Sequence, residues 1–79
     1  MMTEMQWMKI FGKNLEYLLQ QNRMSQNELA KHTGLTQATI SRYISGRQAP
    51  GFRAIVNIAA VLGLTCDELI NFDDTISQY

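Results

Sequence analysis

Helix-start and helix-stop residues cut this chain into short segments, and that punctuation limits what it can fold into. Ser25-Gln26-Asn27-Glu28 is an S-x-x-E capping box. In such a box the serine oxygen takes a backbone N–H three residues on, and the glutamate reaches back to the serine N–H. Thr65-Cys66-Asp67-Glu68 repeats the pattern, and Thr3 with Gln6 offers a third version. Thr36 is a further N-cap candidate. Gly34, Gly46 and Gly63 stand where helices should stop, and Pro50-Gly51 marks a loop. Between these signals apolar residues recur at spacings of three and four rather than two, which excludes alternating strands.

The resulting expectation is five short helices joined by tight turns. The first runs from near the N-terminus to about Gln21 on a stripe of Trp7, Phe11, Leu15 and Leu18, with Gly12 counting against it. The second opens at Ser25 and stops at Gly34. The third follows Thr36 to about Ser45, with Ile40 and Ile44 on one side. Phe52 to Leu62 is nearly all apolar and rich in alanine, which reads as a buried central helix. The fifth continues from Thr65 through Leu69 and Ile70, and the stretch from Phe72 to Tyr79 has no regular pattern.

A chain of 79 residues allows one domain, residues 1–79. At this length folding buries only about 60% of the surface of the unfolded chain, so a partner surface would help. A single cysteine, Cys66, excludes an internal disulfide framework. No apolar run approaches the ~20 residues of a membrane span, and no signal-peptide core precedes Gly12, so the expected location is the cytoplasm, with no membrane association. His32 stands alone among polar neighbours, and the Cys66–His32 combination lacks an orienting third group. No metal-ligand spacing, phosphate-binding glycine loop or paired carboxylate set is present, so neither an enzyme, a metal nor a cofactor is expected.

Net charge is zero, but its distribution is uneven. Residues 1–53 hold all seven basic side chains, Lys9, Lys13, Arg23, Lys31, Arg42, Arg47 and Arg53, against Glu4, Glu16 and Glu28. Residues 54–79 hold only acids, Asp67, Glu68, Asp73 and Asp74. Such asymmetry is the pattern of a chain with one polyanion-facing end. The second and third segments fit a helix-turn-helix. Their connection, Thr33-Gly34-Leu35-Thr36, is short and contains glycine. Ala30 is small where the next helix must cross, and Ile40 points back into the angle.

On these residues the chain resembles the Cro/CI (Xre-like) helix-turn-helix regulators. The resemblance runs from about Ile10 to Phe72, with residues 73–79 as a tail. It is carried by Met24 to Ala30, Gly34 to Arg42, Gly46-Arg47 with Pro50, and Ile58-Ala59 through Leu62-Gly63-Leu64 to Asp67-Glu68-Leu69. It implies an all-α, compact five-helix, lambda-repressor-like DNA-binding domain with its helix-turn-helix at helices two and three. In such a motif the N-terminal residues of the recognition helix meet base edges. Here these are Gln37, Ala38, Ser41 and Arg42. Glutamine pairs with adenine, arginine with guanine, and alanine can touch a thymine methyl. Gln26, Thr36, Ser45, Arg47, Gln48 and Arg53 are the expected phosphate contacts, and the resemblance implies that Gln26 also steadies the first residue of the recognition helix. Two departures stand out. Leu19 and Ile44 replace an Arg–Glu pair common in the family, and Gly51 stands where Ser or Thr usually caps the fourth helix. The aliphatic pair is expected to be in contact.

The expected function is a sequence-specific transcriptional regulator, a repressor acting as a homodimer on a pseudo-palindromic double-stranded DNA operator. The expected dimer surface is Leu69, Ile70, Phe72, Ile76 and Tyr79, at the end that lacks basic residues. The alternative is an antitoxin-type or adaptor module whose C-terminal surface binds another protein, with DNA binding secondary. A fragment of a longer repressor is equally compatible with the sequence.

Overall fold

The computed structural model describes residues 3–71. They form five helices, α1 (Glu4–Gln21), α2 (Gln26–Thr33), α3 (Gln37–Ile44), α4 (Phe52–Leu62) and α5 (Cys66–Asn71). Each anticipated box closes. Thr3 Oγ1 accepts from Gln6 N at 3.1 Å while Gln6 Oε1 accepts from Thr3 N at 2.9 Å. Thr65 and Glu68 exchange the same pair of bonds at the start of α5, at 2.8 and 3.0 Å. These bonds satisfy N–H groups that the first turn of a helix cannot pair internally. Gly51 caps α4 without a side-chain bond, as its lack of an oxygen requires.

One aliphatic side chain from every helix reaches the centre. Leu15, Leu29, Ile40, Ile58 and Leu69 are the large side chains with almost no solvent exposure. Around them lie Phe11, Leu18, Leu19, Tyr43, Ile55 and Leu62. Each such burial is worth roughly 1.5–3 kcal/mol. α3 packs on α1 and α2, and α4 packs on α2 and α5. Trp7 is half-buried and stacks on Phe11 at 5.2 Å between ring centroids.

Gly12 does not weaken α1 as expected; it is a packing requirement. It is buried, and a Cβ placed there would collide with the carbonyl oxygen of Ile44 and lie 2.6 Å from that of Tyr43. Only a residue without a side chain lets α1 cross the C-terminal turn of α3 this closely. At the following bend Arg23 takes a left-handed φ of 52°, and Met24 N donates to Leu19 O at 2.9 Å.

Two sequence expectations are corrected. α4 is not buried all round. Ala54, Ile55, Ile58, Ala59 and Leu62 face the core, while Phe52 is 80% exposed and Val56 is 36% exposed on the opposite side. A helix has an outer face whatever its composition, and here Arg53 and Asn57 mark it within the apolar run. Leu69, expected at a dimer surface, fills the protomer's own core at 1% exposure. Ile70 is half-buried against the same core, and Phe72, Ile76 and Tyr79 lie outside the described residues. No described helix is long and apolar enough to cross a membrane.

Gly12→Ala is expected to destabilise the fold by about 1–3 kcal/mol through overpacking against main-chain atoms that cannot swing aside. A lowered urea midpoint at constant slope would register it, and an unchanged midpoint would contradict the close crossing. Leu19 is buried, and Ile44 packs against the same cluster from α3. Leu19→Ala should cost about 2–5 kcal/mol. A double-mutant cycle with Ile44→Ala should be non-additive, and simple additivity would separate the two side chains.

Candidate nucleic-acid interface

The candidate interface is built on α2, the turn after it, and α3. Ser25 and Glu28 fix the start of α2, with Glu28 N donating to Ser25 Oγ at 3.0 Å and Ser25 N to Glu28 Oε1 at 2.8 Å. The bond from the Ser25 N–H, together with the nearby Ser25 hydroxyl, holds the Glu28 carboxyl below the usual glutamate range. The Ser25 N–H contributes most, then the Ser25 hydroxyl, against a small opposing effect of desolvation. At the other end Gly34 adopts a left-handed φ of 79° and donates to Ala30 O at 2.9 Å. Thr33, the first residue of the connection, ties the turn together. Its buried hydroxyl donates to Leu29 O at 2.8 Å and accepts from Leu35 N at 3.3 Å.

Thr36 then caps α3 by accepting from Thr39 N at 3.1 Å. Ile40 and Tyr43 are buried beneath the helix, and burial raises the Tyr43 phenol above its ordinary range, slightly offset by the Arg42 charge. With that face fixed, the 3.6-residue repeat turns Gln37, Ala38, Ser41 and Arg42 outward, and all four are exposed. The chosen row therefore shares one open face of α3.

Two glutamines from outside α3 touch its polar ends. Gln37 Nε2 donates to Gln26 Oε1 at 2.8 Å, so the first residues of α2 and α3 are linked. Arg42 Nε donates to Gln48 Oε1 at 2.7 Å, and Arg42 Nη2 donates to Thr39 Oγ1 at 3.2 Å. Thr39 Oγ1 lies 2.9 Å from Thr36 Oγ1, which continues the network back to the cap. Thr39 and the Gln48–Arg42 contact were not anticipated; no local spacing rule signals a bond made through long side chains. Among the remaining phosphate candidates, Ser45 turns back to donate to Arg42 O at 3.2 Å, while Arg47 and Arg53 are exposed on either side of the loop that leads into α4. His32 is exposed and Cys66 is half-buried, and neither joins this surface.

A helix pair with this crossing, capped at both starts and showing a polar row on its second member, defines a helix-turn-helix DNA-binding protein. The family model for helix-turn-helix matches residues 15–69, and the chain belongs to that family, in its Cro/CI (Xre-like) form. An uncharacterized HTH-type transcriptional regulator of Bacillus subtilis (strain 168), YqaE, is 26% identical over 61 residues, covering 77% of this chain and 53% of the relative. The chain thus spans about half the length of that relative. Among solved structures, the restriction-modification controller protein C.AhdI from Aeromonas hydrophila superposes with a TM-score of 0.76 at 26% identity, over 78% of this chain and 94% of that one. The clp gene regulator ClgR from Corynebacterium glutamicum gives the same TM-score of 0.76 at 16% identity, over 81% of this chain and 68% of its own, a likeness of fold.

Because the Glu28 carboxyl is held low in the folded state, its contribution to stability is present above the pKa it has in the unfolded chain. It is lost as pH falls through the folded value. Ser25→Ala removes the hydroxyl but keeps the Ser25 N–H, so the Glu28 titration, followed by carboxyl NMR, should rise only part of the way towards the ordinary range, and the fold should lose about 1 kcal/mol. An unchanged stability would mean that the Ser25 cap does not form in solution.

Proposed function

We propose that this chain is a sequence-specific transcriptional repressor that lays α3 in the major groove of a pseudo-palindromic operator and acts as a cytoplasmic homodimer. The observation that carries the reading is the open face of α3. Gln37, Ala38, Ser41 and Arg42 project from a helix whose other face is locked by Ile40 and Tyr43. That is the side-chain set for adenine, thymine-methyl and guanine contacts. Gln26, Thr36, Arg47, Gln48 and Arg53 flank this face and serve as phosphate contacts, and Ser45 joins them only by releasing the bond it donates to Arg42 O. The N-terminus of α4 adds main-chain N–H groups that no side chain caps, beside Arg53. Two copies with recognition helices one turn of DNA apart, roughly 34–36 Å, would read two half-sites. Repression then follows from occlusion of a promoter. With Leu69 in the core, the two-fold contact falls to Ile70 and the residues beyond it.

The second reading, an adaptor whose main partner is another protein, is favoured by one observation, the exposed Phe52 and Val56 on α4. Selection of bound duplexes followed by sedimentation of the complex separates the two. A defined palindrome bound by two chains supports the repressor. A chain that stays monomeric at high concentration, even on the selected duplex, favours the adaptor.

Gln37→Ala and Arg42→Ala should each weaken binding to the selected operator by about 1–3 kcal/mol and relax preference at separate base positions. Arg47→Ala should weaken binding to all sequences alike and lower the salt slope by about one unit per protomer. Unchanged affinity and preference in the first two variants would remove α3 as the reading helix.

A further inference from the structure

Arg42 is the most mobile type of side chain on the reading face, yet it is the most tethered there. A guanidinium has only donors, so the Gln48 group that meets Arg42 Nε at 2.7 Å must be its carbonyl oxygen. The bond spans from α3 to the loop that follows it and engages the Nε edge. Thr39 holds Nη2 from one turn earlier on the helix, at 3.2 Å. Of the five N–H donors of the guanidinium two are engaged, and both N–H groups of Nη1 remain open. The Gln48 amide NH2 has no partner among the described residues. Gln26 stands in the same relation to Gln37, with its oxygen accepting at 2.8 Å from the reader's amide.

We infer that Gln48 is a positioning residue for base readout: it orients Arg42 before DNA arrives, so that the guanidinium meets a guanine edge rather than a neighbouring phosphate. This rests on the reading of α3 as the DNA-contacting helix. A free arginine beside a duplex has two competing acceptors, the base edge and the phosphate oxygens, and the phosphates carry the charge. Fixing the Nε edge removes rotamers that reach outward to the backbone and lowers the ordering cost of those that reach the base. The open amide of Gln48 can meanwhile donate to a phosphate, which sets the register of the arginine on the duplex. Gln48 thus acts on specificity through Arg42, beside the phosphate contact of its own amide.

Two measurements on the intact chain test this. The first needs no DNA. The Nε–H of Arg42 should show restricted motion by 15N relaxation in the wild type, become mobile in Gln48→Ala, and stay restricted in Gln48→Glu, where a carboxylate accepts the same bond. The second compares binding across operator variants with every base at the position that Arg42→Ala relaxes. Gln48→Ala should reduce the preference there by about three- to tenfold while leaving preferences at other positions and the salt slope unchanged. An Arg42 Nε–H whose motion does not respond to Gln48→Ala would overturn the proposal, as would a uniform loss of affinity with intact preferences, the mark of a plain phosphate contact. A wild-type chain that selects no sequence while its Arg42 Nε–H responds as expected would overturn the DNA-reading role of α3 and the specificity role of Gln48 with it, leaving the tether itself established.

Discussion

The structure depends on a single buried core to which every helix contributes at least one fully buried aliphatic side chain. Leu15, Leu29, Ile40, Ile58 and Leu69 belong to helices of which four have only 6 to 11 residues. Helices of that length are marginal in isolation, because the first turn costs more order than its bonds return. Here each one is held by burying its own contribution to a shared centre. The capping boxes at Thr3, Ser25 and Thr65 decide where each helix begins, and the centre decides that it persists. A core assembled this way has no spare member, which is why α5, six residues long, is part of the domain rather than an appendage.

That arrangement explains how a small domain can hold the exposed face of α3 in a fixed orientation. α3 is clamped from beneath by Ile40 and Tyr43 and crossed at its end by Gly12 of α1. Its angle to α2 is set by the Gly34 turn and by the buried Thr33 hydroxyl, which satisfies three backbone groups within the turn region. Side chains on the open face inherit that precision, and those long enough to wander, Gln37 and Arg42, are held by glutamines from neighbouring segments.

Helix starts and stops were readable from the sequence because capping is a local matter of residue type at fixed spacing. The helix-turn-helix and the open row on α3 followed from the same local rules together with the resemblance. What could not be read depends on contacts between distant segments. Gly12 looks like a weak point to any propensity rule, since propensity knows nothing of the α3 carbonyls lying across it. Phe52 and Leu69 were misplaced for complementary reasons. One sits at the start of a mostly apolar run whose outer face is marked only by Arg53 and Asn57, and the other in a helix so short that its few apolar residues look like a surface stripe. The Arg42–Gln48 bond depends on where a loop returns, which no periodicity encodes.

None of Gln37, Ala38, Ser41 and Arg42 contributes to the core, and the residues that orient α3 are not among them. On the proposed reading of α3, scaffold and address are therefore written in different letters of the same eight-residue helix. Changes to the address need not disturb the centre, so a lineage of such domains can drift from one DNA site to another through outward positions alone. The tethering glutamines add a condition to that freedom. A new reader at position 42 that cannot donate to Gln48 would lose its guide, so the two positions are expected to change together rather than one at a time.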